Sequence, residues 1–145
     1  MAGTTDLATL LATMDPVLSD SEVVFCSFQH GRLADKVYLQ PIGFFSEKEG
    51  IALILERSIA EQHAITFDAT FRAITLNVHS SLEAIGLTAA VAGRLALHGI
   101  SANVVAGYYH DHIFVPANHA KRALQVLRDL QAEGAAAIGH SQLSG

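Results

Sequence analysis

The residues best suited to chemistry lie together in the stretch His79–Thr88, which reads HSSLEAIGLT. This stretch combines an imidazole, several hydroxyls, a carboxylate and a glycine. A strand pattern precedes it and a helix pattern follows it, so the sequence predicts a strand-to-helix turn. The N–H groups that begin a helix have no partner inside the helix and attract anions. The turn is therefore the first candidate for a site that binds a small polar molecule.

The arrangement of polar groups in the turn suits a zwitterionic amino acid. N–H groups near Gly86 can hold a carboxylate, and a glycine lets the backbone approach a ligand closely. Glu83 can receive an amino group, and Asn103 lies on the polar face of the neighbouring predicted strand. The expected ligand-binding residues are His79, Ser80, Ser81, Leu82, Glu83, Ile85, Gly86, Leu87, Thr88, Asn103 and Val104.

The same residues also have a purely structural interpretation. Ser80 and Glu83 have the spacing of a capping box, in which a serine and a glutamate satisfy N–H groups at the start of a helix. In that case they would stabilise helical structure and bind no ligand. The sequence leaves both interpretations open.

A second candidate is the triplet His110-Asp111-His112. Two histidines separated by one residue on an extended chain point the same way, and His79 is a possible third metal ligand. The alternative is that His110 and Asp111 form the tip of a hairpin, where such residues are common. We favour the hairpin, so neither a metal ion nor an organic cofactor is expected.

Catalysis has little support in the sequence. Cys26 is the single cysteine and stands within an apolar predicted strand, where a buried, inert thiol is expected. The sequence contains neither a nucleophile elbow nor a phosphate-binding loop. We therefore expect a protein that is not an enzyme.

The composition restricts the class of protein. Half of the 145 residues are apolar and 16% are charged, which favours a folded domain over disorder. The net charge is −5 and the only adjacent basic pair is Lys121-Arg122, so a nucleic-acid surface is not expected. No apolar run approaches the roughly 20 residues of a membrane helix. Without a recognisable signal peptide, a cytoplasmic location is the expectation.

The order of predicted elements from Phe71 onwards is strand, helix, strand, strand, helix. Apolar residues alternate along the strand at 71–78, and Leu87, Val91 and Leu95 form one stripe of the helix at 87–98. The last helix is predicted to end at Gly134. This order is the split βαβ of ferredoxin-like α+β folds, with antiparallel sheets and helices on one face.

The first half repeats this order in weaker form, which predicts two lobes. The predicted boundaries are an N-terminal lobe at 1–66, a C-terminal lobe at 67–134 and a tail at 135–145. Ser19-Asp20-Ser21 is predicted to be a turn, and 32–40 has no clear assignment. Val105 and Phe114 would lie on the sheet face without helices, which makes a homodimer the expected assembly.

The stretch GLTAAVAGRLALHGISANV, residues 86–104, resembles the core of an ACT domain. Its flanks, VHSSLEA at 78–84 and NVVAGYYHDHIFVP at 103–116, resemble small bacterial proteins built from two ACT-like lobes. The resemblance implies a non-catalytic regulatory protein that binds an amino acid near the first strand-to-helix turn. The alternatives are a ligand-free interaction module and, less favoured, a histidine-based metal-binding protein.

Overall fold

The computed structural model describes residues 6–79 and 85–144, the residues from 140 onwards by their backbone alone. The protein is α+β. Its helices and strands in chain order are α1 (Leu7–Ala12), β1 (Pro16–Phe28), β2 (Gly43–Glu47), β3 (Gly50–Glu56), α2 (Arg57–Gln62), β4 (Phe71–Leu76), α3 (Leu87–Leu97), β5 (Asn103–Ala106), β6 (Asp111–Pro116) and α4 (Ala120–Ser144). Short 3₁₀ helices lie at Leu33–Asp35, Val37–Leu39 and Ala117–His119.

The chain divides into two compact units, and one of them is discontinuous. Met1–Ser19 belong with Ala73–Gly145, whereas Asp20–Arg72 form the other unit. This division differs from the predicted lobes at 1–66 and 67–134. The physical reason is that Leu10 and Met14, near the start of the chain, are fully buried in the same core as residues of α3 and α4.

The discontinuous unit contains the predicted split βαβ in the order β4, α3, β5, β6, α4. The strands lie in the order β4-β6-β5, and β5 pairs antiparallel with β6. Ile74 and Leu76 of β4 and Ile113 and Val115 of β6 join the helices in a single apolar core. The buried residues that complete this core are Leu87, Val91, Leu95, Ile100, Ala120, Ala123, Val126, Leu127 and Leu130.

The last helix is longer than predicted. Gly134 does not end it, because α4 continues to Ser144, so the predicted helix end is wrong. Gly134 is buried where α4 meets α1. A Cβ atom there would lie 2.9 Å from Leu11 Cβ and 3.0 Å from the Ala12 nitrogen. The absence of a side chain at Gly134 therefore allows α4 to approach α1 closely, and the residue does not end the helix.

The other unit is a three-stranded antiparallel sheet with the order β2-β3-β1. β1 begins at Pro16, so the predicted turn at Ser19–Ser21 is wrong; strand pairing overrides the local turn preference of these residues. The unassigned stretch at 32–40 contains two 3₁₀ helices. The buried core residues are Val24, Leu39, Ile51, Leu53, Leu55 and Ala60.

The contact at Gly134 gives a first test. Gly134→Val should lower the free energy of unfolding by about 1–3 kcal/mol, because the new side chain must displace the backbone of α1. Urea denaturation followed by circular dichroism measures this change. Gly93→Ala is the control: Gly93 lies within α3 with no atom within 4 Å of an added Cβ. It should gain roughly 0.5–1 kcal/mol from helix propensity. An unchanged midpoint in Gly134→Val would contradict the packing argument.

Candidate functional site

The structure describes seven of the residues predicted to bind a ligand: His79, Ile85, Gly86, Leu87, Thr88, Asn103 and Val104. Ser80, Ser81, Leu82 and Glu83 lie outside the described residues, so the capping box and the role of Glu83 stay predictions. His79, Ile85, Thr88 and Asn103 are exposed, as the residues of a binding surface must be. Leu87 is buried and Val104 packs against the core, so these two side chains contribute to the core and not to an exposed binding surface.

Gly86 stands at the start of α3 in a left-handed conformation, with φ +99°. The Gly86 carbonyl accepts a hydrogen bond from the Ala90 N–H at 2.9 Å. No described side chain caps the free N–H groups at the start of α3. A Cβ atom on Gly86 would lie 3.1 Å from Leu7 Cδ2. The positive φ and the contact with α1 are sufficient reasons for a glycine here, and its role in the close approach of a ligand stays a prediction.

The β5–β6 hairpin stands beside this turn. The Gly107 N–H donates to the His110 carbonyl at 2.9 Å, which places Tyr108 and Tyr109 at the tip. Asp111 already belongs to β6, so the predicted tip at His110 and Asp111 is displaced towards the start of the chain. A Cβ atom on Gly107 would lie 2.8 Å from the His110 carbonyl oxygen, so this tight turn requires glycine.

Aromatic contacts join the hairpin tip to the first residue of the turn. The ring centroids of His79 and Tyr109 are 5.4 Å apart, and those of Tyr108 and Tyr109 are 4.9 Å apart. Sequence reasoning missed both tyrosines. The available signal was their adjacency, because the chain has only three tyrosines and two of them stand next to each other at 108 and 109.

A polar pair lies on the sheet next to the hairpin. His112 Nδ1 is 3.0 Å from Thr75 Oγ1, and His112 faces Val105 across the β5–β6 ladder. Burial lowers the pKa of His112, and the neighbouring His110 lowers it further, against the opposing effect of Asp111. Burial raises the pKa of Asp111. The site therefore favours a neutral imidazole.

Comparisons with known proteins identify the fold family. Two family models, both described as ACT domain, match residues 2–72 and residues 68–129. A crystal structure of a protein of unknown function from Vibrio cholerae, described as a possible transport protein, is 51% identical over 86% of this chain and 95% of that chain, with a TM-score of 0.79. The chain belongs to the ACT-domain family. A comparison with curated proteins finds no match.

More distant solved structures share the ACT fold. The regulatory subunit of aspartate kinase from Thermus thermophilus is 11% identical, over 82% of this chain and 98% of that one, with a TM-score of 0.58. Escherichia coli aspartokinase III in complex with aspartate and ADP is 14% identical, over 79% of this chain and 32% of that one, with a TM-score of 0.59. These likenesses confirm the predicted ferredoxin-like, ACT-type α+β fold.

The other candidate chemistries find little geometric support in this ACT protein. Within residues 6–79 and 85–144, no group of three or more His, Cys, Asp or Glu side chains is placed to hold a metal ion. Cys26 is half-buried, its Sγ lies 3.7 Å from the Leu53 carbonyl oxygen, and burial raises the pKa of its thiol. A nucleophilic cysteine needs the opposite shift. Among the described helices, none is long and apolar enough to cross a membrane.

Two clefts lie within the unit Asp20–Arg72, and none of the predicted ligand-binding residues lines either. In one, of about 420 Å³, Arg57 already pairs with Glu22 and Glu61, both at 2.6 Å. The other, of about 440 Å³, lies between residues 29–33 and 46–51 and is lined largely by polar side chains. The predicted turn and the aromatic hairpin tip belong to the discontinuous unit.

The pKa of His112 predicts a pH dependence. Because the folded-state pKa lies below the unfolded value of 6.5, the unfolded chain binds the proton more tightly. The contribution of His112 to stability is complete above about pH 6.5 and is lost as the pH falls through that value towards the folded pKa. His112→Gln should therefore lose less stability than the wild type between pH 7.5 and 5.5.

Urea midpoints at the two pH values measure this difference. His98→Gln is the matched control, because His98 is an exposed histidine of the same unit. An equal loss of stability in wild type and His112→Gln would show that other groups control the acid response.

Proposed function

We propose that this ACT protein is a non-catalytic regulator that binds a free amino acid at the turn His79–Thr88. The observation that carries the proposal is the start of α3. Ile85 and Thr88 at the helix start are exposed, Gly86 adopts a left-handed conformation, and no described side chain caps the first N–H groups. Such N–H groups, together with the helix dipole, favour a bound carboxylate.

The remaining groups complement the other end of a zwitterion. The amide of Asn103 is exposed at the start of β5, and Glu83 would supply a carboxylate for the ligand's ammonium group. Charge-assisted hydrogen bonds of both signs would then fix the orientation of the ligand. Aspartokinase III, which shares the fold, is described in complex with aspartate, and this supports an amino acid as the class of ligand.

A thermal-shift screen of the amino acids, one at a time at millimolar concentration, tests the proposal. A ligand that binds only the folded state stabilises it by roughly 2.7 kcal/mol at 100 times Kd, which raises Tm on the order of 5 °C. Glu83→Gln and Asn103→Ala should each reduce the shift, because each removes one partner of the ammonium group. Glu49→Gln is the control, since it removes an exposed carboxylate from the other unit.

Gly86→Val would be a poor probe, because its Cβ meets Leu7 and its φ is positive, so loss of the fold would mimic loss of binding. If no amino acid raises Tm in the wild type, the amino-acid regulator is ruled out. A shift that survives in Glu83→Gln and Asn103→Ala would place the ligand elsewhere.

A homodimeric interaction module is the second candidate, and exposed aromatic residues on β2 favour it. β2 pairs with β3 on one side only. Phe44 and Phe45 on this strand are 53% and 72% exposed. The sequence predicted a dimer surface that contains Val105 and Phe114. Phe114 is buried, so of these two residues Val105 alone is exposed enough to contact a partner. An edge strand with exposed apolar side chains favours pairing with the same strand of a second copy.

Light scattering after size exclusion tests this assembly. The wild type should elute with the mass of a dimer at micromolar concentration, and Phe45→Lys should shift it towards the monomer, because a buried lysine opposes edge pairing. Val105→Lys is the matched variant for the dimer surface predicted from the sequence. If Val105→Lys dissociates the dimer and Phe45→Lys does not, the interface involves β5 and not β2. A monomeric wild type would exclude the dimer.

A further inference from the structure

We infer that Tyr109 and His79 form one wall of the amino-acid site and select ligands whose side chain is a planar ring. The inference rests on the proposed function and adds the class of side chain that the site prefers. It starts from a contact: the hairpin tip touches the first residue of the turn, with 5.4 Å between the two ring centroids. Any ligand bound in the turn beside His79 therefore lies next to an aromatic surface.

The rings of Tyr108, Tyr109 and His79 pack in sequence, and both tyrosine rings are exposed to solvent. Tyr108 meets Tyr109 edge-to-face, at 4.9 Å and 80°, and Tyr109 meets His79 at 5.4 Å and 56°. Both spacings lie within the 4.5–7 Å over which aromatic pairs attract each other. Tyr108 is 74% exposed and Tyr109 is 60% exposed, so both rings retain surface for a further partner. A ligand ring would extend the series with the same geometry.

The backbone fixes the position of this wall. The bond from the Gly107 N–H to the His110 carbonyl closes the hairpin, and the absence of a Cβ at Gly107 permits the tight turn. Tyr109 is additionally held between Tyr108 and His79. Because the ring is already in place, a ligand that stacks on it loses little affinity to ordering of side chains.

The rings around Tyr109 favour a ligand that is itself a ring. Tyr109 is flanked by two imidazoles, His79 at 5.4 Å and His110 at 6.5 Å between ring centroids. An aromatic side chain can pack against these rings in the offset or edge-to-face arrangements that aromatic pairs prefer, and an aliphatic side chain has no π face to do so. The aromatic amino acids are therefore the expected ligands.

The chain contains a matched control for this argument. Tyr38 meets His63 at 5.3 Å and 72°, and its side chain is 59% exposed. This tyrosine–histidine pair therefore has nearly the same spacing and exposure as the pair Tyr109–His79. It lies in the unit Asp20–Arg72 and contains none of the residues predicted to bind the ligand.

Calorimetric titration of the full chain with L-phenylalanine and L-cyclohexylalanine tests the inference, because the two ligands are similar in size and only the first has a π face. The wild type should bind phenylalanine about two- to tenfold more tightly. Tyr109→Leu should abolish this preference, whereas Tyr109→Phe and Tyr38→Leu should keep it. Circular dichroism should show the same fold in all four proteins, since both tyrosines are exposed.

The outcomes separate this inference from the proposed function. Equal affinity of the wild type for both ligands, or a preference that survives in Tyr109→Leu, would overturn the aromatic wall. So would binding of an aliphatic or acidic amino acid with the same affinity in wild type and Tyr109→Leu, although the proposed function would then stand. Absence of binding by every amino acid would overturn both.

Discussion

The contact between α1 and α4 is the constraint on which the discontinuous unit depends. The two helices approach so closely at Gly134 that a Cβ atom would meet the backbone of α1. The amide of Gln131 donates to the Ala12 carbonyl at 2.9 Å and so satisfies one of the free carbonyls at the end of α1. With α1 held there, Leu10 and Met14 complete the core that α3 and the sheet share. The position of Leu7 against Gly86 follows from the same contact.

The turn at the start of α3 thus combines two requirements that often conflict. Its backbone is held firmly, whereas the ligand site that we propose needs its N–H groups to be accessible. Leu7 packs on Gly86 from one side and Leu87 is buried beneath, so the start of the helix is fixed by apolar contacts. Ile85 and Thr88, by contrast, are exposed at the helix start. This apolar anchoring uses no polar side chain, so it is compatible with the ligand site that we propose.

Apolar periodicity in the sequence predicted the strands and helices that such periodicity determines. The alternation of Ile74 and Leu76 and the stripe of Leu87, Val91 and Leu95 gave β4 and α3 close to their observed bounds. Gly134 misled because a glycine that permits helix contact looks the same as one that ends a helix. The contact of Tyr109 with His79 depends on how a hairpin and a turn meet, which no pattern within either segment encodes.

The division of the chain at Ser19 and Ala73 has a consequence for synthesis on the ribosome. Asp20–Arg72 is one continuous segment, so every residue that this unit needs emerges early. Leu10 and Met14 emerge earlier still, yet their partners in α4 emerge only from Ala120 onwards. The apolar face of α1 therefore stays exposed until α4 has been synthesised. During that interval it is a surface that chaperones can recognise, and any pause before α4 prolongs the exposure.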